Sequence, residues 1–207
     1  MKSFYHDHIL PYLVHHVCVH EKFGDERRKV VPRARGVVVE FGMGSGLNLP
    51  FYEASEVVSV TGIDPSAQLA QKAAARMGQA DFPVRMLTGS AEKLPLEDAS
   101  VDSVLSTFTL CTIPDLAAAL AEARRVLKPD GALIFCEHGL AEDVSVARWQ
   151  NRLNPIWKPF AGGCHLNRDI PALIRAAGFE ITELDSSYME DTPGIGGYLY
   201  RGLARPG

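Results

Sequence analysis

At 207 residues the chain is long enough for one well-buried core and short for two full domains, so a single domain spanning residues 1–207 is expected. Its 46% hydrophobic and 22% charged content is that of an ordinary globular protein, and a net charge of −4 leaves no basic excess to hold a nucleic-acid backbone. No run reaches the roughly 18 consecutive apolar residues of a membrane span, and the four cysteines (Cys18, Cys111, Cys136, Cys164) show no CxxC pattern, so reduced thiols and a cytoplasmic location are expected. The N-terminal histidines, Asp7 and Pro11 interrupt any signal-peptide core.

Residues 4–31 predict one or two helices, with Ile9, Tyr12, Leu13, His16 and Val17 on one face. The basic run Arg27-Arg28-Lys29, with Arg33 and Arg35, is offset by Glu21, Asp25 and Glu26 and reads as a solvated helix face. After Pro32 and Gly36, apolar runs alternate with helical segments. Strands are expected at Val37–Phe41, Val57–Ile63, Val84–Leu87, Val101–Ser106 and Ala132–Cys136. Helices are expected at Ser66–Met77, with Asp64 or Ser66 near its cap, and at Asp115–Leu127. This alternation argues for a parallel sheet covered on both faces. A helix over Asp169–Ala177 and two strands, Phe179–Tyr188 and Gly197–Leu203, close the chain as an antiparallel pair at the sheet edge.

The strongest local signal is Glu40-Phe41-Gly42-Met43-Gly44-Ser45-Gly46, directly after the first strand. Glycines at this spacing let the backbone turn tightly and approach a ligand. The GxGxG pattern is neither the GxGxxG of a nicotinamide site nor a P-loop. Asp64 ends the next strand, where an acid can accept hydrogen bonds from both ribose hydroxyls of an adenosine cofactor, or can simply cap the following helix. Ser90 and the Ala91 amide follow the third strand and suit an adenine edge. Thr107 follows the fourth and suits the cofactor's reactive end. All lie at carboxyl ends of strands, where open α/β sheets bind ligands.

In order along the chain, Glu40–Gly46, Gly62-Ile63-Asp64-Pro65-Ser66, Ser90-Ala91-Glu92-Lys93-Leu94-Pro95, Val101-Asp102-Ser103-Val104 and Arg125–Gly131 resemble the successive motifs of class I S-adenosylmethionine (SAM)-dependent methyltransferases with a methyltransferase type 11 domain. The resemblance covers about residues 36–137. It implies a Rossmann-like seven-stranded sheet, mostly parallel with the last strand antiparallel, and helices on both faces. Residues 1–35 would form a helical cap, 36–137 the cofactor-binding core, and 138–207 the acceptor-pocket segment and edge strands. It also implies SAM-binding roles: Gly42, Gly44 and Gly46 under the methionine part, Glu40 supporting the loop or its ammonium, Asp64 and Pro65 at ribose, and Ser90, Ala91 and Glu92 around adenine. Ser90 stands where the family often has Asp, which leaves more of the adenine contact to the Ala91 amide.

A narrower set, Cys136-Glu137-His138-Gly139, Trp149-Gln150, Asn154-Pro155-Ile156-Trp157 and Gly162–Arg168, is similar to the methyltransferase-like-7 group of thiol S-methyltransferases. This implies a small-molecule methyl acceptor, a thiol being favoured. N- or O-methylation of a small metabolite or lipid headgroup, and a non-catalytic SAM-binding partner, are the alternatives. Those relatives carry an N-terminal membrane segment, and a soluble relative without one is expected here.

His138 and His165 are the candidate catalytic residues, each open to a substrate role or a structural hydrogen bond. Glu137 and Asp115 lie near the same mouth. Cys164 reads as a buried thiol, and no metal is expected because Cys164, His165 and His138 show no ligand spacing. Trp149, Trp157 and Phe160 either line an apolar acceptor pocket or form the core of a lid helix. Tyr5, His6 and His8 either close over the cofactor or belong to an exposed terminus.

Overall fold

The computed structural model describes residue 16 and residues 18–207. Tyr5, His6, His8 and most of the first expected helix lie outside them. Seven strands form one sheet in the order β3-β2-β1-β4-β5-β7-β6. They span Gly36–Phe41 (β1), Val57–Asp64 (β2), Val84–Thr88 (β3), Val101–Thr107 (β4), Leu127–His138 (β5), Phe179–Tyr188 (β6) and Tyr198–Pro206 (β7). β1 through β5 pair in parallel, while β7 runs antiparallel to both β5 and β6. Chain order reverses at β1, which has β2 on one side and β4 on the other. A crevice opens at the carboxyl ends of strands at such a switch point.

Side chains alternate across the sheet, and that alternation builds two cores. Val38, Val60, Leu105 and Ile134 point to one face, where they meet Val30 and Val31. Val39, Phe41, Val104, Leu133 and Phe135 point to the other. There they meet Leu116, Ala119, Leu120 and Ala123 of one helix, and Ile170 and Ile174 of another.

Among the described residues the α-helices after residue 20 are Glu21–Val30 (α1), Ala67–Met77 (α2), Leu116–Val126 (α3), Val144–Phe160 (α4), Ile170–Ala176 (α5) and the single turn Gly194–Gly197 (α6). Four start on a side-chain cap that satisfies an otherwise orphaned amide. Ser66 accepts from Leu69 N, Asp115 from Ala118 N, Asp143 from Ser145 N and Val146 N, and Asp169 from Ala172 N. Among the described residues no helix is long and apolar enough to cross a membrane.

Three expectations change. β5 starts at Leu127 and absorbs Lys128-Pro129-Asp130-Gly131, because Leu127 already pairs with Val101 of β4. The basic run is not a uniformly solvated face. Arg28 and Lys29 are exposed, but Glu26 and Arg27 are each 5% exposed. Glu26 pairs with the buried Arg201 of β7 at 2.6 Å, which fastens α1 to the sheet. Lastly, the 17-residue helix α4, which contains Pro155 and Pro159, is not packed through its aromatic residues. Its one buried side chain, Gln150, donates to the Gly139 and Ile195 carbonyls and accepts from Ala141 N. Trp149, Trp157 and Phe160 lie 54%, 45% and 68% exposed, so they are not the core of a lid.

Candidate active site

A cleft of about 350 Å³ opens at the switch point, within the size range of small-molecule sites. Its floor is the loop after β1. Gly42, Gly44 and Gly46 all have positive φ, at 65°, 55° and 75°, which side chains rarely adopt. A Cβ on Gly42 would also run into the Thr109 side chain, whereas at Gly44 the nearest atoms are 3.8 Å away. Gly44 is therefore held bare by its backbone conformation, with its open side in the cleft.

Asp64, 6% exposed, anchors the loop. Its Oδ2 accepts Gly44 N at 2.9 Å and its Oδ1 accepts Ser66 N at 2.8 Å. Burial raises its pKa, and these two amides oppose the rise. Glu40, 1% exposed, accepts from Tyr52 Oη at 2.6 Å and Asn48 Nδ2 at 3.0 Å. Burial pushes its carboxyl up to about 7. Asn48 also joins Thr107 Oγ1 at the end of β4. Arg27 enters the same cleft from α1, its guanidinium 5.5 Å from the Phe108 ring centroid. Arg27 Nη1 donates to the Cys18 carbonyl at 2.9 Å, while Nε is buried with no partner. Phe108 itself has φ of 55°, an outlier for a bulky residue. Its amide is held by the Cys136 carbonyl at 2.8 Å. Gly89, Ser90 and Ala91 also line the cleft, and nothing approaches within 4 Å of the Gly89 Cβ position.

A methyltransferase-domain family matches residues 39–135. The thiol S-methyltransferase TMT1A of Homo sapiens is 30% identical over 168 residues, covering 79% of this chain and 68% of that protein. The chain belongs to the class I SAM-dependent methyltransferases. The thiol S-methyltransferase TMT1B of Rattus norvegicus is 33% identical over 152 residues, and there the chain spans 62% of the relative's length. A phosphatidylethanolamine N-methyltransferase of Cereibacter sphaeroides is 31% identical over 127 residues, covering 57% of this chain and 62% of that protein. A SAM-dependent methyltransferase structure from Thermotoga maritima, described as a possible histamine N-methyltransferase, shares the fold with a TM-score of 0.66. It is 24% identical, and the match covers 98% of this chain and 100% of that one.

The cofactor of this methyltransferase is SAM, which supplies an activated methyl on a sulfonium. The cleft fits it. A buried acid, Asp64, ends β2 at the cleft, a bare glycine faces the open space, and Arg27 brings a positive charge to the same lining. Of the residues expected to bind it, Glu40, Gly42, Gly44, Asp64, Pro65, Ser90, Ala91 and Thr107 line the cleft. Gly46 and Glu92 do not. Gly46 closes the turn beneath the loop, donating to the Met43 carbonyl and packing under Leu49. Glu92 turns away to accept from Asp115 N at 2.7 Å and Ser90 Oγ at 2.9 Å.

Neither candidate catalytic histidine lines the cleft. His138 Nε2 lies 2.7 Å from Cys164 Sγ, and that sulfur lies 3.7 Å from Cys111 Sγ. His165 turns to the segment after β4, with Nδ1 at 3.1 Å and its backbone N at 2.8 Å from the Cys111 carbonyl. Glu137 is fully buried and accepts from Ser106 Oγ and Thr109 N. It thereby supports the segment that enters the cleft. Trp149, Trp157 and Phe160 are also absent from the lining, where Ala161 and Gly162 stand instead.

Arg27 is the residue that sequence reasoning missed. Its charge hid it within a basic run. Helical spacing was the available signal, because Phe23, Arg27 and Val30 share the stripe that faces inward.

Proposed function

We propose that the chain transfers the methyl group of SAM to the sulfur of a small thiol. The observation that carries this reading is the composition of the cleft wall beyond β4. Among the described residues, Phe108, Thr112, Ile113, Pro114, Ala161 and Gly162 bring no imidazole, amine or carboxylate to it. An oxygen acceptor needs a general base there, whereas a thiol is a few per cent thiolate at neutral pH and strongly nucleophilic without one. The similarity to two thiol S-methyltransferases supports the same acceptor. Under this reading Asp64 holds ribose, Glu40 holds the methionine ammonium and Arg27 its carboxylate. The protein's work is then to align sulfur with the methyl and to exclude water.

An amine acceptor is the second reading, supported by the phosphatidylethanolamine N-methyltransferase relative. S-adenosylhomocysteine release across a panel of alkyl thiols and amines separates the two. Turnover on thiols, rising with pH as the acceptor ionises, is expected. Turnover on amines alone would overturn the thiol reading. SAM binding without turnover on either would point to a non-catalytic partner protein.

A further inference from the structure

Three side chains far apart in sequence meet beside the cleft without entering it. Cys111 lies just beyond β4, His138 ends β5, and Cys164 sits in the loop after α4. One ligand atom from each lies within 4.8 Å of the other two. The sulfurs are 3.7 Å apart. A tetrahedral zinc ion with Zn–S bonds of about 2.3 Å needs a sulfur–sulfur edge of about 3.8 Å. The pair thus stands at the spacing of two zinc ligands, far from the roughly 2.05 Å of a disulfide. A zinc-bound nitrogen–sulfur edge is about 3.5 Å, so the His138 ring would withdraw from Cys164 by roughly 0.8 Å to admit the ion.

A second observation is independent of the sulfurs. His138 Nδ1 is buried with no hydrogen-bond partner, and so is Glu137 Oε2, the next residue's carboxylate oxygen. Metal-bound histidines ordinarily donate the second ring N–H to a carboxylate, carbonyl or water. The second ring nitrogen of His138 is uncommitted to any protein group among the described residues, so it remains available for such a bond. Local charge suits the ion as well. Two thiolates neutralise a divalent cation, and the other charged groups acting on the cluster are Glu137 and Arg168, of opposite sign. Arg168 donates to the Leu110 and Ile113 carbonyls, on either side of Cys111.

We infer that Cys111, His138 and Cys164 form a site for one soft divalent cation of the zinc class, with the fourth position left to water. Thr112 and Gly162 line the cleft one and two residues from the two sulfurs, so the ion fastens together two segments of the cleft wall. The site is independent of which acceptor the enzyme uses.

The test is a titration of the reduced full chain with Zn²⁺ against a chromophoric chelator, followed by Co²⁺ substitution. One equivalent per chain at sub-micromolar Kd is expected, with thiolate-to-cobalt charge-transfer bands and d–d bands of tetrahedral intensity. C111S, C164S and H138Q should each weaken binding at least about tenfold, as loss of metal-site groups does. Circular dichroism and SAM affinity identify any variant that fails to fold, and one folded variant suffices to read the result. No zinc bound at micromolar metal, unchanged affinity in the folded variants, or a cobalt spectrum without thiolate bands would overturn the inference. So would a chain that isolates with a Cys111–Cys164 disulfide and takes up no zinc once reduced. No readout uses methyl transfer, so failure here and failure of the thiol reading are distinguishable.

Discussion

The two sides of the cleft are built in different ways. Next to β1 and β2 the cleft rests on backbone: three glycines at positive φ and an amide of Gly44 held by Asp64. The wall proposed for the acceptor rests instead on side chains brought from the segment after β4 and the loop after α4. Backbone conformation is local and strongly constrained by residue type. Side-chain convergence depends on the whole fold. Substitutions on the first side should therefore act sharply and through binding of SAM, and those on the second should act more weakly and selectively.

The largest effects belong to the glycine loop, and two positions there should separate. Gly42→Ala forces a Cβ into Thr109 and holds alanine at φ of 65°, so both folding stability and SAM binding should fall steeply. Gly44→Ala has room, and carries mainly the roughly 1–2 kcal/mol of a left-handed alanine, plus a methyl pointing into the cleft. Thermal melts and calorimetric SAM titrations should show Gly42→Ala losing both properties and Gly44→Ala losing mostly binding. Equal losses in both measurements for the two variants would remove the distinction drawn between packing and access.

Next come the charged contacts. Asp64→Ala removes two amide acceptors and the proposed ribose contact, and should weaken SAM binding at least about tenfold, since charge-assisted hydrogen bonds are among the stronger ones. Arg27→Met keeps much of the apolar stem against Phe108 and removes the guanidinium. About tenfold weaker SAM binding is expected, with the loss confined to ligands that carry the carboxylate. An equal loss for an adenosine ligand that lacks the carboxylate would remove Arg27 from that role.

That contrast explains what the chain revealed as a string of letters. The strand–helix alternation, the helix starts at Asp115 and Asp169, and the loop from Glu40 to Gly46 are set by neighbours within a few residues and were legible, while the sequence leaves the choice of Ser66 over Asp64 as a cap open. A helix carrying Trp149, Trp157 and Phe160 was among the expectations, but which of its side chains is buried was not: Gln150 goes inward and the three aromatics stay exposed. Cys111, His138 and Cys164 are separated by 26 residues or more, so no spacing rule reaches them. The same distance hides why His138 and His165 fall outside the cleft. Both precede or sit in segments that fold back on Cys111 and Cys164, which only the packing of that loop determines.

A smaller effect follows from Glu40, whose burial raises its pKa from 4.5 to about 7. A carboxyl with a raised folded-state pKa favours the folded chain below its unfolded value, and that advantage is lost as pH rises to about 7. Without SAM, the chain should therefore lose stability between about pH 4.5 and 7 from this group alone. The Glu40→Gln variant should show a flatter profile over the same window in thermal melts. SAM should reverse the trend, because the ligand's ammonium favours the ionised carboxylate, and its affinity should rise as pH passes 7 in the parent chain but not in the variant.

The smallest effect is expected at His165, and it tests the acceptor side most directly. A general base there would contribute about 10²–10⁴-fold, whereas a histidine outside the cleft should change kcat by less than about threefold when replaced. Burial lowers the His165 pKa, so the ring is neutral at physiological pH, and its Nδ1 faces the Cys111 carbonyl at 3.1 Å. A neutral ring in this position donates to the carbonyl and keeps the 161–165 loop in place. His165→Gln can still donate to that carbonyl but cannot act as a base near neutrality. If the variant turns thiols over at close to the parent rate with an unchanged pH profile, the ring's part is to hold the loop. A hundredfold drop in kcat with unaltered SAM affinity would instead put an imidazole at the reacting sulfur, and with it a cleft wall that rearranges when the acceptor binds.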